Sequence, residues 1–188
     1  MILARAAFGL VALLSVTLPA QAGQWEMMAP ESRLGFVFLL QGDEKQGHFE
    51  RFAADIQFDP DNLATSQVTV DIDLASVRAG DGERNTMLAD KDWFHINAFP
   101  KARFQTTGFT ALGEGRYEAA AMLTIKGISR DVVLPFSLDI EGDVAHVVGS
   151  LRFQRTAFEV GDGGWAKGDV VGLPVTVKVD IKARRAAP

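Results

Sequence analysis

Apolar and polar residues alternate strictly in several windows of the chain, and the clearest window lies in its first half. From Val68 to Leu74 every even-numbered residue is apolar, whereas Thr69, Asp71 and Asp73 are polar. Successive side chains of a β-strand point to opposite faces of the sheet, so this pattern predicts a strand with one apolar and one hydrated face.

Similar alternation recurs along the chain, and Gly, Pro, Asn and Asp separate the windows as they do in tight turns. The best hairpin is predicted between Ala119 and Ile140, with its turn at Lys126-Gly127. The pattern predicts antiparallel strands over residues 32–40, 48–58, 67–74, 101–109, 115–126, 130–140, 144–155 and 170–183. Eight such strands can close into a barrel with a small interior, so we predict an all-β fold.

Two segments lack a period of two. Residues 80–99 fit a short helix from Glu83 to Ala89 followed by an aromatic-rich loop, which predicts a crossover that plugs or covers one end of the barrel. Residues 161–169 are rich in glycine and carry Trp165, which predicts a mobile loop whose ring is either a packing anchor or part of a portal.

The apolar residues of the alternating windows should face the interior, which would be aromatic because the chain has 13 phenylalanines and one tyrosine. Such a lining suits hydrocarbon rather than polar metabolites, although a barrel filled by its own side chains remains the alternative. The strands place Val175 and Val179 on the inward face as well. The predicted ligand-binding residues are Leu34, Phe36, Phe38, Phe52, Ile56, Val70, Ile72, Trp93, Phe94, Phe104, Leu123, Ile125, Val132, Leu134, Phe136, Phe153, Arg155, Phe158, Trp165 and Val177.

The first 22 residues are typical of a cleaved secretory signal peptide. One basic residue, Arg5, precedes an apolar run that is too short to span a bilayer, and Ala20-Gln21-Ala22 provides a small-x-small cleavage site. We therefore expect residues 23–188 to form one domain that is soluble in the periplasm. The chain has no cysteine, so its stability there must come from the sheet without disulfides.

The sequence offers little support for catalysis, metal binding or nucleic-acid binding. His48, His95 and His146 lie in separate elements, and no serine stands in a nucleophile elbow. The chain has 24 acidic and 19 basic residues, and the only basic cluster lies in a short C-terminal tail. We therefore predict no catalytic residues, no metal, no cofactor and no nucleic-acid partner.

Several segments closely resemble the YceI-like family of secreted proteins, in the same order along the chain. Their sequences are PESRLGF at 30–36, GHFERF at 47–52, IQFDP at 56–60, FPKARF at 99–104, LTIKGISR at 123–130 and RTAFEVG at 155–161. The resemblance implies an extended eight-stranded antiparallel lipocalin-like barrel that binds polyisoprenoid or similar long-chain lipids in an apolar tunnel. Where the family commonly has glycine directly after Arg-x-x-Phe, this chain has Glu159-Val160 before Gly161, which leaves the local shape of the tunnel mouth open.

Residues and resemblance together indicate a periplasmic protein that holds an isoprenoid, such as a quinone or its precursor, for transport or storage and contacts the membrane surface transiently. One alternative is an interaction module of a membrane electron-transfer or stress-response system, which docks beside a membrane redox partner and holds the lipid only as a structural element. The sequence leaves open whether the protein is a monomer or a homodimer. Exposure of Trp93, Phe94 and Trp165 together on one rim would favour docking. A second alternative is a lipid isomerase or cyclase, for which a buried charge in the lining, with Arg155 as the candidate, would be the sign.

Overall fold

The computed structural model describes residues 23–187, and residues 1–22 with the predicted signal peptide lie outside the described part. The fold is all-β with one short α-helix, α1, at Gly82–Ala89, as predicted. Its strands are β1 Gln24–Met27, β2 Arg33–Leu40, β3 Asp43–Phe49, β4 Phe52–Gln57, β5 Gln67–Asp73, β6 Val77–Arg78, β7 Lys101–Gly113, β8 Arg116–Ile125, β9 Ile128–Glu141, β10 Val144–Gln154 and β11 Val171–Arg185.

These eleven segments occupy eight positions of a closed antiparallel barrel. Strand β11 pairs with β10 along one edge, while its other edge pairs with both β1 and β2. In the same way β3 and β4 share one position, and β5 and β6 share the next. Neighbours in the barrel are therefore neighbours in sequence, and closure by β1, β2 and β11 confirms the predicted eight-stranded barrel.

In the first three barrel positions, each of which is divided between two strands, the predicted strand boundaries were wrong. The strand predicted over 48–58 is two strands, because Glu50 and Arg51 interrupt the ladder and the Arg51 amide donates to Ser76 Oγ instead. Strand β3 starts earlier, in the polar sequence Asp43 to Gly47, where no alternation marks it. Gly47 is required there because any Cβ would collide with the Phe36 ring.

Different elements close the two ends of the barrel. At one end, Trp25, Phe58, Ala145 and Ala183 are buried, and rings from β7, β8 and β9 pack on Phe58. At the other end, the crossover of residues 79–100 and the glycine-rich loop of residues 161–170 cover the strands. We call these the Trp25 end and the crossover end.

Helix α1 begins at an N-cap, Asp81, whose side chain accepts a hydrogen bond from the Arg84 amide. Asn85 Oδ1 accepts a hydrogen bond from Ala79 N and so joins the helix to the strand before it. Only Leu88 of this helix is fully buried, so α1 lies on the barrel as a half-exposed cover. No helix within residues 23–187 is long and apolar enough to cross a membrane.

Candidate ligand-binding site

An elongated cavity of about 290 Å³ runs through the barrel between its two ends. Its wall is formed by the inward side chains of the strands together with α1 and the crossover, and its surface is apolar. On β10 the lining residues extend from Ala145 to Phe153, which at about 3.3 Å per residue corresponds to roughly 26 Å of strand. The shape is that of a narrow tunnel.

Most of the side chains predicted to bind a ligand lie on this wall. The structure places there Leu34, Phe36, Phe38, Phe52, Ile56, Val70, Ile72, Trp93, Phe94, Phe104, Leu123, Ile125, Leu134, Phe136, Phe153, Arg155, Val175, Val177 and Val179. The register explains their convergence: Val70 stands opposite Phe104 and Ala54, and Phe104 stands opposite Leu123. Their contact with a ligand stays a prediction.

Three predicted residues do not line the cavity. Val132 shares the inward face of β9 but packs against the core instead. Phe158 lies in a 3-10 turn after β10, where a period of two no longer applies, and its buried ring packs edge-on against Phe153 at 5.2 Å. Trp165 packs behind Trp93 with ring centroids 5.5 Å apart, so it supports the wall from outside.

Other lining residues were missed from the sequence. Leu138 and Ile140 continue the alternation of β9, and Ile181 continues that of β11, so extending the period would have found them. Trp25 lies in a four-residue strand directly after the predicted leader, and no pattern marked it. The helix residues Arg84, Met87 and Leu88 also lie on the wall.

Arg155 is the buried charge that the sequence singled out. Its side chain is 2% exposed, and its guanidinium lies 5.2 Å from the centre of the Trp93 ring. All five N–H groups donate to backbone carbonyls, those of Val160, Gly161, Trp165, Val171 and Gly172. Burial lowers the pKa of Arg155, and the negative charge of Asp162 opposes that shift. The group fixes the glycine-rich loop and has no free donor for chemistry.

The glycine-rich loop and the crossover are tied to each other and to the β8–β9 turn. The amides of Gly161 and Asp162 both donate to Asp92 O at 2.8 Å. Lys126 Nζ donates to Glu159 O at 2.6 Å and lies 3.5 Å from an Asp162 carboxylate oxygen. Glu159 takes a left-handed conformation with φ of 52°, and Val160, the next residue, lies on the cavity wall.

The two carboxylates of β5, those of Asp71 and Asp73, face outward and are held by cations. Asp71 accepts two hydrogen bonds from Arg103, at 2.7 and 2.9 Å, and Asp73 accepts one from Arg51. The Arg103 hydrogen bond lowers the pKa of Asp71 against the opposing effect of burial, and the charges of Arg103 and Lys101 add to the lowering. Within residues 23–187 no group of three His, Asp or Glu side chains is placed to hold a metal ion.

Trp93, Phe94 and Trp165 do not form the exposed rim that would favour docking. Trp93 is only 4% exposed, and Phe94 and Trp165 are partly buried against the same core. The exposed large apolar side chains of the described residues include Met122, Val133 and Val148, which lie on the outer face of the barrel.

Comparison with known proteins agrees with this architecture. The family model described as the YceI-like domain matches residues 25–183. A UPF0312 protein of Vibrio parahaemolyticus is 26% identical over 139 residues, covering 69% of this chain and 68% of that protein.

Solved structures are similar over most of the chain. BcnA of Burkholderia cenocepacia has 30% identity and a TM-score of 0.81, covering 84% of this chain and 99% of that one. The YceI protein of Campylobacter jejuni has 21% identity and a TM-score of 0.68, covering 79% and 90%. A polyisoprenoid-binding domain from Saccharophagus degradans, implicated in plant cell wall breakdown, has 15% identity and a TM-score of 0.69, covering 88% and 99%. The last two likenesses concern the fold alone.

Proposed function

The chain belongs to the YceI-like domain family, and on this basis we propose that it binds a polyisoprenoid or another long-chain lipid inside its barrel. The observation that carries the proposal is the long apolar cavity, whose wall has phenylalanines on five of the eight strand positions. Such a wall gives a hydrocarbon chain contact without requiring a polar partner. The name of the Saccharophagus domain points to the same class of ligand.

The expected free energy of lipid binding is compatible with a carrier that exchanges its lipid with a membrane. Burial contributes about 0.8 kcal/mol for each CH₂ group, so a prenyl chain of several isoprene units has a large gross gain. Ordering the chain and desolvating the head offset much of this gain, and non-covalent affinities saturate near about 18–21 kcal/mol. A bilayer offers the same hydrocarbon environment, so exchange between membrane and barrel would be near balance.

We assign no chemical step to the protein. Within the described part of the chain, Arg155 is the one fully buried charge on the wall. Its donors are occupied by five carbonyls, so it supports the loop instead. We propose transport or storage in the periplasm, with a quinone or quinone precursor as the cargo; the predicted leader and the apolar cavity support this proposal. Intact mass and fractionation of the exported protein test the compartment: a mature chain beginning at Gly23 in the periplasmic fraction is expected, and a membrane-bound chain that retains Met1 would contradict it.

The experiment for the ligand is solvent extraction of the natively purified protein followed by mass spectrometry. We expect a prenyl or other long-chain lipid that is depleted from the variant Ile72→Lys, purified in parallel. Val133→Lys, on the outer face, is the matched control and should retain the lipid. Absence of any lipid, together with no uptake of added prenyl alcohol, would refute the proposal.

A further inference from the structure

The hydrogen-bonding groups on the cavity wall are few, and most of them are already engaged. At the Trp25 end, Trp25 Nε1 donates to Phe58 O at 2.9 Å. On β7, Thr106 Oγ1 accepts from Val68 N at 2.8 Å and donates back to Val68 O. The five donors of Arg155 are all occupied, so none of these three side chains has a donor left to offer a ligand.

Two wall residues of the crossover differ from the others. Trp93 is 4% exposed, and within residues 23–187 its Nε1 has no hydrogen-bond partner. An unpartnered buried donor costs about 1–3 kcal/mol, which a ligand acceptor would recover. Trp93 is the only described side chain with such a buried, unpartnered polar atom.

Arg84 is the second of these two wall residues. Its side chain lines the cavity yet is 24% exposed, so its methylene stem lies along the apolar wall while the guanidinium reaches the surface. One nitrogen donates to Ala79 O, and another lies 3.4 Å from an Asp81 carboxylate oxygen. Its Nε makes no hydrogen bond to any described residue. Gly80 makes room for this group, because a Cβ there would collide with the guanidinium.

From this distribution we propose that the ligand lies in one orientation, with its polar head at the crossover end and its tail toward the Trp25 end. The inference rests on the proposed lipid-binding function. Arg84 and Trp93 donate hydrogen bonds to an oxygen of the head group. Both side chains are donors only, so the head carries an acceptor oxygen such as a carbonyl, hydroxyl, carboxylate or phosphate oxygen.

The test compares three ligands with the same branched saturated skeleton: phytane, phytanol and phytanic acid. Dissociation constants are measured on the delipidated full-length mature protein by displacement of an apolar fluorescent probe. Trp93→Phe removes the N–H and keeps an aromatic ring, while Arg84→Met keeps the stem and removes the guanidinium. Trp25→Phe, which removes an engaged N–H at the opposite end, is the matched control.

We expect Trp93→Phe to weaken phytanol about fivefold relative to phytane, and Arg84→Met to weaken phytanic acid about tenfold or more relative to phytane. Trp25→Phe should leave both ratios unchanged. Equal weakening of all three ligands by the crossover variants would overturn the proposal, because the residues would then be wall only. A changed ratio in Trp25→Phe alone would reverse the orientation and overturn it too. Failure of the wild-type protein to bind phytane would instead refute the proposed function.

Discussion

Arg155→Met is the substitution whose consequence the structure defines most sharply. The methionine keeps most of the apolar stem and removes all five donors of a side chain that is 2% exposed. Five backbone carbonyls between Val160 and Gly172 then lose their partner, four of them held at 2.8 to 3.1 Å. The cation also leaves the face of the Trp93 ring. The perturbation therefore falls on the glycine-rich loop and its contact with the crossover.

The expected loss in the free energy of unfolding can be worked out from these hydrogen bonds. A hydrogen bond to a charged group contributes about 1.5–3 kcal/mol, but the five are not additive, and removing the guanidinium also removes its desolvation cost. Breaking a buried charged network of this kind typically costs about 3–5 kcal/mol, which we expect as the loss in the free energy of unfolding. For a chain of this size that corresponds to a melting temperature lower by roughly 10 °C.

The assay combines urea unfolding, followed by far-ultraviolet circular dichroism, with hydrogen exchange of peptides covering residues 160–172. Exchange should accelerate in those peptides, while β8 and β9 stay protected. Arg152→Met is the control, because Arg152 lies exposed on β10 three residues before Arg155, and its loss should change stability by less than about 0.5 kcal/mol. An Arg155→Met protein within about 1 kcal/mol of the wild type, with unchanged exchange in the loop, would refute the assigned role.

Three further predictions concern the wall, the crossover end and the outer surface. Ile72→Lys places an unpaired charge on the apolar wall at a site that is 7% exposed, and this variant should no longer retain lipid. Val133→Lys, at a site that is 52% exposed, should retain it. Equal retention in both variants would mean that the ligand lies elsewhere. Trp165→Ala removes the ring behind the wall and should speed release of a fluorescent prenyl analogue without loss of the sheet, and an unchanged rate would place the entrance elsewhere. Asp71 has a lowered pKa, so its Arg103 pair stabilises the fold above about pH 3.9 and loses that effect as the pH falls through the lower folded-state pKa. Urea midpoints of wild type and Asp71→Asn should therefore differ at about pH 6 and converge in acid, and a difference that persists in acid would contradict the assignment.

The barrel could be predicted because most of its strands carry one apolar face. Strands β7 to β11 are long and alternate clearly, so their inward residues followed from a period of two, and α1 followed from the loss of that period. Strand β3 is polar over most of its length, and β6 has only two residues, so local pattern could not reveal them. Their pairing depends on the neighbouring strands.

The loops were harder because their geometry is set by contacts distant in sequence. Phe158 was predicted to bind the ligand, but the chain turns after Gln154 and takes its ring away from the cavity wall. The sequence pointed to Arg155 as an unusual charge, yet its role depends on carbonyls up to 17 residues away. Likewise, Trp93 and Arg84 stand out only once the partners of every other wall donor are known.

Photo-crosslinking shows whether the lipid occupies the barrel cavity. A prenyl alcohol carrying a diazirine on its tail is bound to the protein and irradiated, and the adducts are mapped by peptide mass spectrometry. We expect adducts on inward residues such as Phe104, Leu123 and Leu134, which line the cavity. Adducts confined to Met122, Val133 and Val148 on the outer face would contradict it, because the lipid would then coat the barrel instead of filling it.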